Sequence, residues 1–294
     1  MITTTSGWPA DYSRSWTLAG ESECSGVGLH SGAEARVRLQ PSPLPGYWVG
    51  RLDQPQQPLQ RLEPSLVADT RLCTALRLNQ GRLATVEHLL SALAGTGITQ
   101  AQILVDGDEI PLLDGSALPW VEAIATAGLQ AVDSASVRPV VEQTLLLQEG
   151  TGFITAMPAD ELWVGAAIEF PQQAIGRQLF TIRLSPELYV NDIAPARTFG
   201  FRDQVEQLRS AGLIQGGALE NALVCDGAEW MNPPLRFVDE PVRHKLLDLL
   251  GDLALAGLPR AQVFAFRGSH GLHTKLAASL VDRPPSHQAN TPQP

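Results

Sequence analysis

Residues 242–257 read VRHKLLDLLGDLALAG. Val242, Leu246, Leu247, Leu249, Leu250, Leu253 and Leu255 put apolar side chains nearly all the way round a helix. A helix that is apolar on every side belongs in the interior. Yet His244, Asp248 and Asp252 fall at i, i+4 and i+8 and so share one stripe of that helix. Such groups are costly to bury without partners. Side chains four apart stand about 5–6 Å apart at Cβ, so His244 and Asp248 can converge on one point. Two readings fit. His244 pairs with Asp248 and Asp252 or Lys245 in a structural network, or His244 and Asp248 are two ligands of a cation whose third ligand lies elsewhere. Polar i,i+4 pairs are common, and this stretch alone favours the network.

The rest of the chain bounds the answer. Its 294 residues suit one large domain or two ordinary ones, and 44% hydrophobic against 18% charged residues can build a sizeable core. The net charge of −10 argues against nucleic acid as a partner, while leaving room for a small anionic substrate in a local basic pocket. Cys24, Cys73 and Cys225 are few, odd in number and far apart, as expected of reduced thiols in the cytosol rather than a disulfide framework. No apolar run is long enough to span a membrane, and MITTTSGWPADYSRSW at the start lacks the pattern of a secretory signal. The expectation is a cytoplasmic, soluble monomer. Residues 1–15 read as a loose lead-in. DRPPSHQANTPQP (282–294), with His287, reads as a loose tail without a role.

Between these ends strands and helices alternate. ARVRLQ (35–40) has the period of a half-buried strand. TVEHLLSALAGTGI (85–98) reads as a helix with Thr85 as N-cap and Gly95 or Gly97 near its end. PWVEAIATAGL (119–129) is a second helix, with Pro119 in its first turn. VDSASVRP (132–139) is a candidate linker. VVEQTLLLQE and LWVGAAIEF then read as strands, and RTFGFRDQVEQLRSAGL (197–213) runs into an amphipathic helix. AQVFAFRGSHGLHTKLAASL closes the chain as strand, turn and helix. Each half thus runs strands, leucine-rich helix, strand, helix, a pattern of the α+β class with helices layered on sheets.

Three further stretches carry titratable or hydroxyl groups. In TVEH (85–88), His88 is a candidate third ligand. Glu87 points off at about 100° around a helix, so it cannot share that vector but can reach a water on the same ion and act as general base. The plainer reading is a first-turn acid beside a surface histidine. In GSHGLHTK (268–275), His270 follows a strand and a turn, a common placement for catalytic groups, and Asp252 can hold it protonated. His273 reads as a helix-start histidine. In ARTFGF (196–201), Thr198 offers a neutral donor for an oxyanion, although such a threonine more often bonds its own backbone.

Taken together, SGVGLHSG (25–32), DTRLCTAL (69–76), TVEHLLSALAG (85–95), EIPLLDGSA (109–117), ARTFGF (196–201), VRHKLLDLLGDL (242–253) and GSHGLHTK (268–275) resemble the zinc-dependent UDP-3-O-acyl-N-acetylglucosamine deacetylases. The resemblance runs from about Cys24 to Lys275. It implies removal of the N-acetyl group from a UDP-3-O-(3-hydroxyacyl)-N-acetylglucosamine, the committed step of lipid A synthesis. By it, His88, His244 and Asp248 hold Zn2+, a donor set that also suits Fe2+. Glu87 is the general base, His270 the general acid or cationic stabiliser supported by Asp252, and Thr198 the oxyanion donor. Lys245, Phe199 and Phe170 contact substrate, and His30 and Cys73 lie near the site. The implied fold is two β/α domains, 16–133 and 134–282, of similar topology in a β-α-α-β sandwich. Each has a small insert, and the second insert, at 166–189, lines a passage for the acyl chain. A lipid-bearing substrate also implies transient contact with a membrane surface. Gln204 stands where the family has an acidic residue, with Asp203 just before it. The remaining rivals are a zinc amidase for another acylated sugar and a silent binder of nucleotide–lipid intermediates.

Overall fold

The leucine-rich stretches settle at the centre of the molecule. The computed structural model describes residues 7–79 and 81–281. The first half runs β1 (Arg14–Leu18), β2 (Ser22–Val27), β3 (Glu34–Gln40), β4 (Gly46–Arg51), β5 (Gln60–Arg61), β6 (Val67–Asp69), β7 (Ala75–Leu78), β8 (Gly81–Leu83), α1 (Glu87–Gly95), β9 (Gln100–Val105), α2 (Leu118–Ala127) and β10 (Leu129–Ala135). The second runs β11 (Leu145–Glu149), β12 (Gly152–Pro158), β13 (Trp163–Glu169), β14 (Arg177–Arg183), α3 (Pro186–Asp192), β15 (Phe199–Phe201), α4 (Arg202–Ser210), β16 (Leu223–Asp226), β17 (Glu229–Trp230), α5 (Glu240–Leu253), β18 (Ala261–Phe266) and α6 (His270–Val281).

The two halves are wound alike. One five-stranded sheet has the order β2-β3-β9-β4-β5 and the other β11-β12-β18-β13-β14. In each the middle strand pairs parallel with the next, β9 with β4 and β18 with β13, and the other pairings are antiparallel. Each middle strand is preceded by a leucine-rich helix, α1 or α5, and followed by another, α2 or α6. The molecule is therefore an α+β fold of two similar sheet-rich domains. Alternation along the strands sends Val37, Leu39, Val49 and Ile103 of one sheet, and Ile154, Ala156, Val164 and Val263 of the other, into one continuous core with both helices.

The helices α1 and α5 meet at the seam between the halves. All nine residues of α1 are buried, as are Leu246, Leu247, Leu249, Leu250 and Leu253 of α5. The approach is close enough to demand glycine. A Cβ on Gly251 would stand 2.0 Å from the carbonyl oxygen of Glu87. At the far end of α1, a Cβ on Gly95 would stand 2.4 Å from the Tyr189 ring. That ring is fully buried, and its hydroxyl donates to Ser91 Oγ at 3.0 Å.

Several expectations are corrected. The lead-in is not loose over residues 9–15. Tyr12 is buried with its hydroxyl donating to Gly95 O at 2.9 Å, and β1 pairs antiparallel with β10. The linker expected at 132–139 is strand as far as Ala135. The stretch 166–189 is not an insert. It forms the β13–β14 hairpin of the main sheet, with Ala166 opposite Phe180 and Ile168 opposite Gln178, and the opening of α3. Its length and apolar content did not reveal that it pairs into the main sheet. The additional elements stand further on, as parallel β15 and β16 around α4, with β17 antiparallel. The first half has the three-stranded β6-β7-β8 in the corresponding place. The tail expected at 283–294, with His287, lies outside the described residues.

Candidate metal centre and active site

The polar stripe on α5 faces α1. His244 Nδ1 lies 3.0 Å from the carbonyl of Ala196. A carbonyl only accepts, so the ring proton sits on Nδ1 and the Nε2 lone pair is free. That Nε2 is 3.3 Å from Asp248 Oδ1, and His88 Nε2, from α1, is 3.7 Å from the same oxygen. The two imidazoles stand edge to face with centroids 5.0 Å apart. One ligand atom from each of the three residues lies within 4.8 Å of the others. Donors about 2.0–2.2 Å from a tetrahedral zinc stand about 3.4 Å apart, so the donor set fits one such ion with little movement. His88 Nδ1 is buried without a hydrogen-bond partner among the described residues.

Electrostatics prepares these groups to bind a cation. Burial pushes the His244 imidazole down to about 3, so it is neutral and able to coordinate. Burial works against charge on Asp248, but the Lys245 ammonium beside Oδ2 helps to hold the carboxyl well below the usual range. Lys245 Nζ donates to Asp248 Oδ2 at 3.0 Å, leaving Oδ1 to face the imidazoles.

Beside the cluster is a second, linked set. Glu87 Oε2 accepts the Thr74 N–H at 3.0 Å, and Oε1 is 3.8 Å from His270 Nε2. Burial raises the Glu87 pKa, while His270 and His88 oppose the rise. Asp252 Oδ1 accepts from Thr74 Oγ1 at 2.5 Å. Its Oδ2 accepts from His270 Nδ1 at 2.8 Å and from His273 Nδ1 at 3.0 Å. Burial opposes charge on His270, yet Asp252 and Glu87 overcome it and raise the imidazole to about 9. His270 is thus a cation at neutral pH. His273 stands near the start of α6, as expected, but it is more than a simple helix-start residue. It is 1% exposed, burial keeps its pKa low, and it shares Asp252 with His270. The i,i+3 spacing of the two histidines on α6 was the available signal. Asp252, His270 and His273 also lie near enough to surround an ion, but their short direct hydrogen bonds already use the facing atoms.

The loops around the seam carry the other candidates. Thr198 donates its backbone N–H to Gly115 O at 2.8 Å and accepts from Leu223 N–H at 2.8 Å, at the start of β15. Phe199 follows, with its ring centroid 6.5 Å from that of His244 and 5.5 Å from Lys245 Nζ. Phe170 packs on Phe199 and Phe201, at 5.6 and 5.5 Å between centroids. Gln204 lies on α4. Thr85 does not cap α1. Its φ is +58, and its hydroxyl donates to Glu109 Oε1 at 2.9 Å. Glu109 also accepts the N–H groups of His30 and Ser31, each at 2.8 Å, and so fixes the loop that carries His30. His30, Cys73 and Glu109 line a cavity of about 630 Å³ together with Arg71 and Arg82. The buried Cys73 thiol is pushed up to about 12, by burial and then by Glu87, so it is no nucleophile.

Fold and site together define a class of protein: two like-wound α+β domains whose seam could hold one divalent cation beside a carboxylate and a charged imidazole. Residues 15–282 match the family model described as LpxC: UDP-3-O-acyl N-acetylglycosamine deacetylase, and the chain belongs to that family. It is similar to the UDP-3-O-acyl-N-acetylglucosamine deacetylase of Thermosynechococcus vestitus, 47% identical over 269 residues that cover 91% of this chain and 94% of the relative. The protein of the same name from Synechocystis sp. is 46% identical over 261 residues, covering 87% and 95%. An Arabidopsis thaliana relative, "Probable UDP-3-O-acyl-N-acetylglucosamine deacetylase 1, mitochondrial", is 40% identical over 287 residues, covering 90% and 87%. The activity that goes with the family is the deacetylase step of lipid A biosynthesis. Among the described residues no helix is long and apolar enough to cross a membrane.

Proposed function

We propose that this chain hydrolyses the acetamide of a UDP-3-O-(3-hydroxyacyl)-N-acetylglucosamine, releasing acetate and the free amine, with one Zn2+ held by His88, His244 and Asp248. A bound zinc ion supplies Lewis-acid polarisation of the carbonyl and acidifies the attacking water. The chain's own groups do the rest. Glu87, held by the Thr74 N–H, takes the proton of that water as it attacks. The hydroxyl of Thr198 donates to the oxygen on which negative charge develops. His270, charged and oriented by Asp252, stabilises that charge and returns a proton to the leaving amine. Lys245, Phe199 and Phe170 hold the substrate, with the acyl chain along the β15–α4–β16 insert. The reaction is assigned to the cytoplasm, in keeping with three free cysteines, and to a monomer that meets the membrane surface only in passing.

The observation that carries this reading is the convergence of Glu87 and His88 from α1 with His244 and Asp248 from α5 in one buried seam. The test is acetate release from the 3-O-acylated and the unacylated nucleotide sugar, alongside metal analysis of the purified protein. Glu87→Gln should lose turnover by about 10²–10⁴-fold, the share of a general base, and keep its zinc. Equal activity on the unacylated sugar, or full activity in Glu87→Gln, would contradict the reading.

A further inference from the structure

The polar stripe on α5 is one turn longer than the sequence reading made it. Glu240 stands four residues before His244, is wholly buried, and has no part in the reaction above. A buried carboxylate needs partners, and Glu240 has four. Oε1 accepts the backbone N–H of Arg197 at 3.0 Å and its Nε at 2.9 Å. Oε2 accepts Arg197 Nη2 at 3.2 Å and the Arg236 N–H at 2.6 Å.

The peptide unit between Ala196 and Arg197 explains why this matters. Its N–H goes to Glu240, and its carbonyl accepts from His244 Nδ1 at 3.0 Å. A peptide unit is planar and, when trans, points its N–H and C=O in opposite directions. This one therefore bridges a single turn of α5, from Glu240 to His244. Fixing the N–H fixes the carbonyl, and the carbonyl dictates which ring nitrogen of His244 carries the proton. Arg236 braces the same run, donating from Nη1 to Pro195 O at 2.8 Å and from Nη2 to Asp114 Oδ2 at 2.8 Å.

We infer that Glu240 is a positioning residue for the metal centre: through the 196–197 peptide it locks His244 with Nδ1 protonated and Nε2 turned toward Asp248. The inference rests on the reading of His244 as a ligand. Groups that orient a metal ligand in this way typically contribute 10–100-fold to affinity. Glu240→Gln should therefore weaken Zn2+ binding by about 10–100-fold, measured by competition with a chromophoric chelator on full-length, folded protein. Nitrogen-15 NMR of the wild-type chain freed of metal should find His244 protonated on Nδ1, and the same spectrum of Glu240→Gln should show a mixture of tautomers. An Nε2-protonated His244 in the wild type would overturn the inference even if the variant failed to fold. So would unchanged zinc affinity and an unchanged tautomer in folded Glu240→Gln. His244→Ala separates the two levels. If it binds zinc as tightly as wild type, the reading of the site fails. If it loses zinc while Glu240→Gln does not, only the role of Glu240 fails.

Discussion

Replacing Gly251 by alanine sets two effects of opposite sign against each other. Helix propensity alone favours the substitution, since alanine in a helix interior is worth about 0.5–1 kcal/mol over glycine. Packing opposes it. The new Cβ would lie 2.0 Å from Glu87 O, 2.7 Å from Glu87 C and 2.9 Å from Glu87 Cα, all backbone atoms that cannot rotate away. Non-bonded contact needs about 3.5 Å, so α1 and α5 must part by more than about 1 Å. Overpacking of this kind typically costs about 1–3 kcal/mol, which outweighs the propensity gain. The clash falls on the residue carrying the proposed base and beside the proposed ligand His88, so the parting also opens the His88–His244–Asp248 cluster. A misplacement near 1 Å can cost about 10²-fold in rate. Urea unfolding at unchanged m-value, with acetate release in parallel, reads both effects. Gly251→Ala with wild-type or greater stability and wild-type kcat/KM would refute the claim that this crossing holds the site together.

Two further outcomes are expected. The His270 pKa is raised in the folded chain to about 9, above the unfolded value of about 6.5. Its contribution to stability is therefore complete below about pH 6.5 and fades as the pH rises through about 9. The same ionisation sets an alkaline limb of kcat/KM near 9, and Asp252→Asn should move that limb downward. A limb that stays in place assigns it to another group. Stripping divalent ions with a chelator should abolish acetate release, and adding Zn2+ should restore it. In His88→Ala or Asp248→Asn restoration should need far more zinc, as elemental analysis and titration would reveal.

The parts of this protein legible from its sequence are those set by local geometry. The 3.6-residue period places His244 and Asp248 on one stripe of α5 whatever that helix packs against. The leucines that surround them demand burial. The same logic finds α1 and puts Glu87 and His88 on it as neighbours with diverging directions. What failed did so where partners are distant in the chain. Thr85 has the chemistry of a helix cap, yet its hydroxyl goes to Glu109, 24 residues further along the chain. His273 reads as a simple helix-start residue, and only the packing of α6 against α5 turns it toward Asp252. The 166–189 stretch has strand character, but its sheet is chosen by β13 pairing with β18.

Residue spacing along single helices thus determined by itself that α5 is buried and that it carries an acid–imidazole pair fit for a cation. It did so because i,i+4 neighbours are fixed by the helix alone. Only the tertiary structure decided that His88 arrives opposite that pair, that Asp252 is shared by two imidazoles, and that Glu240 holds the 196–197 peptide. Those contacts join segments far apart in the chain. Their geometry comes from how two like-wound halves close on one layer of helices, which no local period encodes.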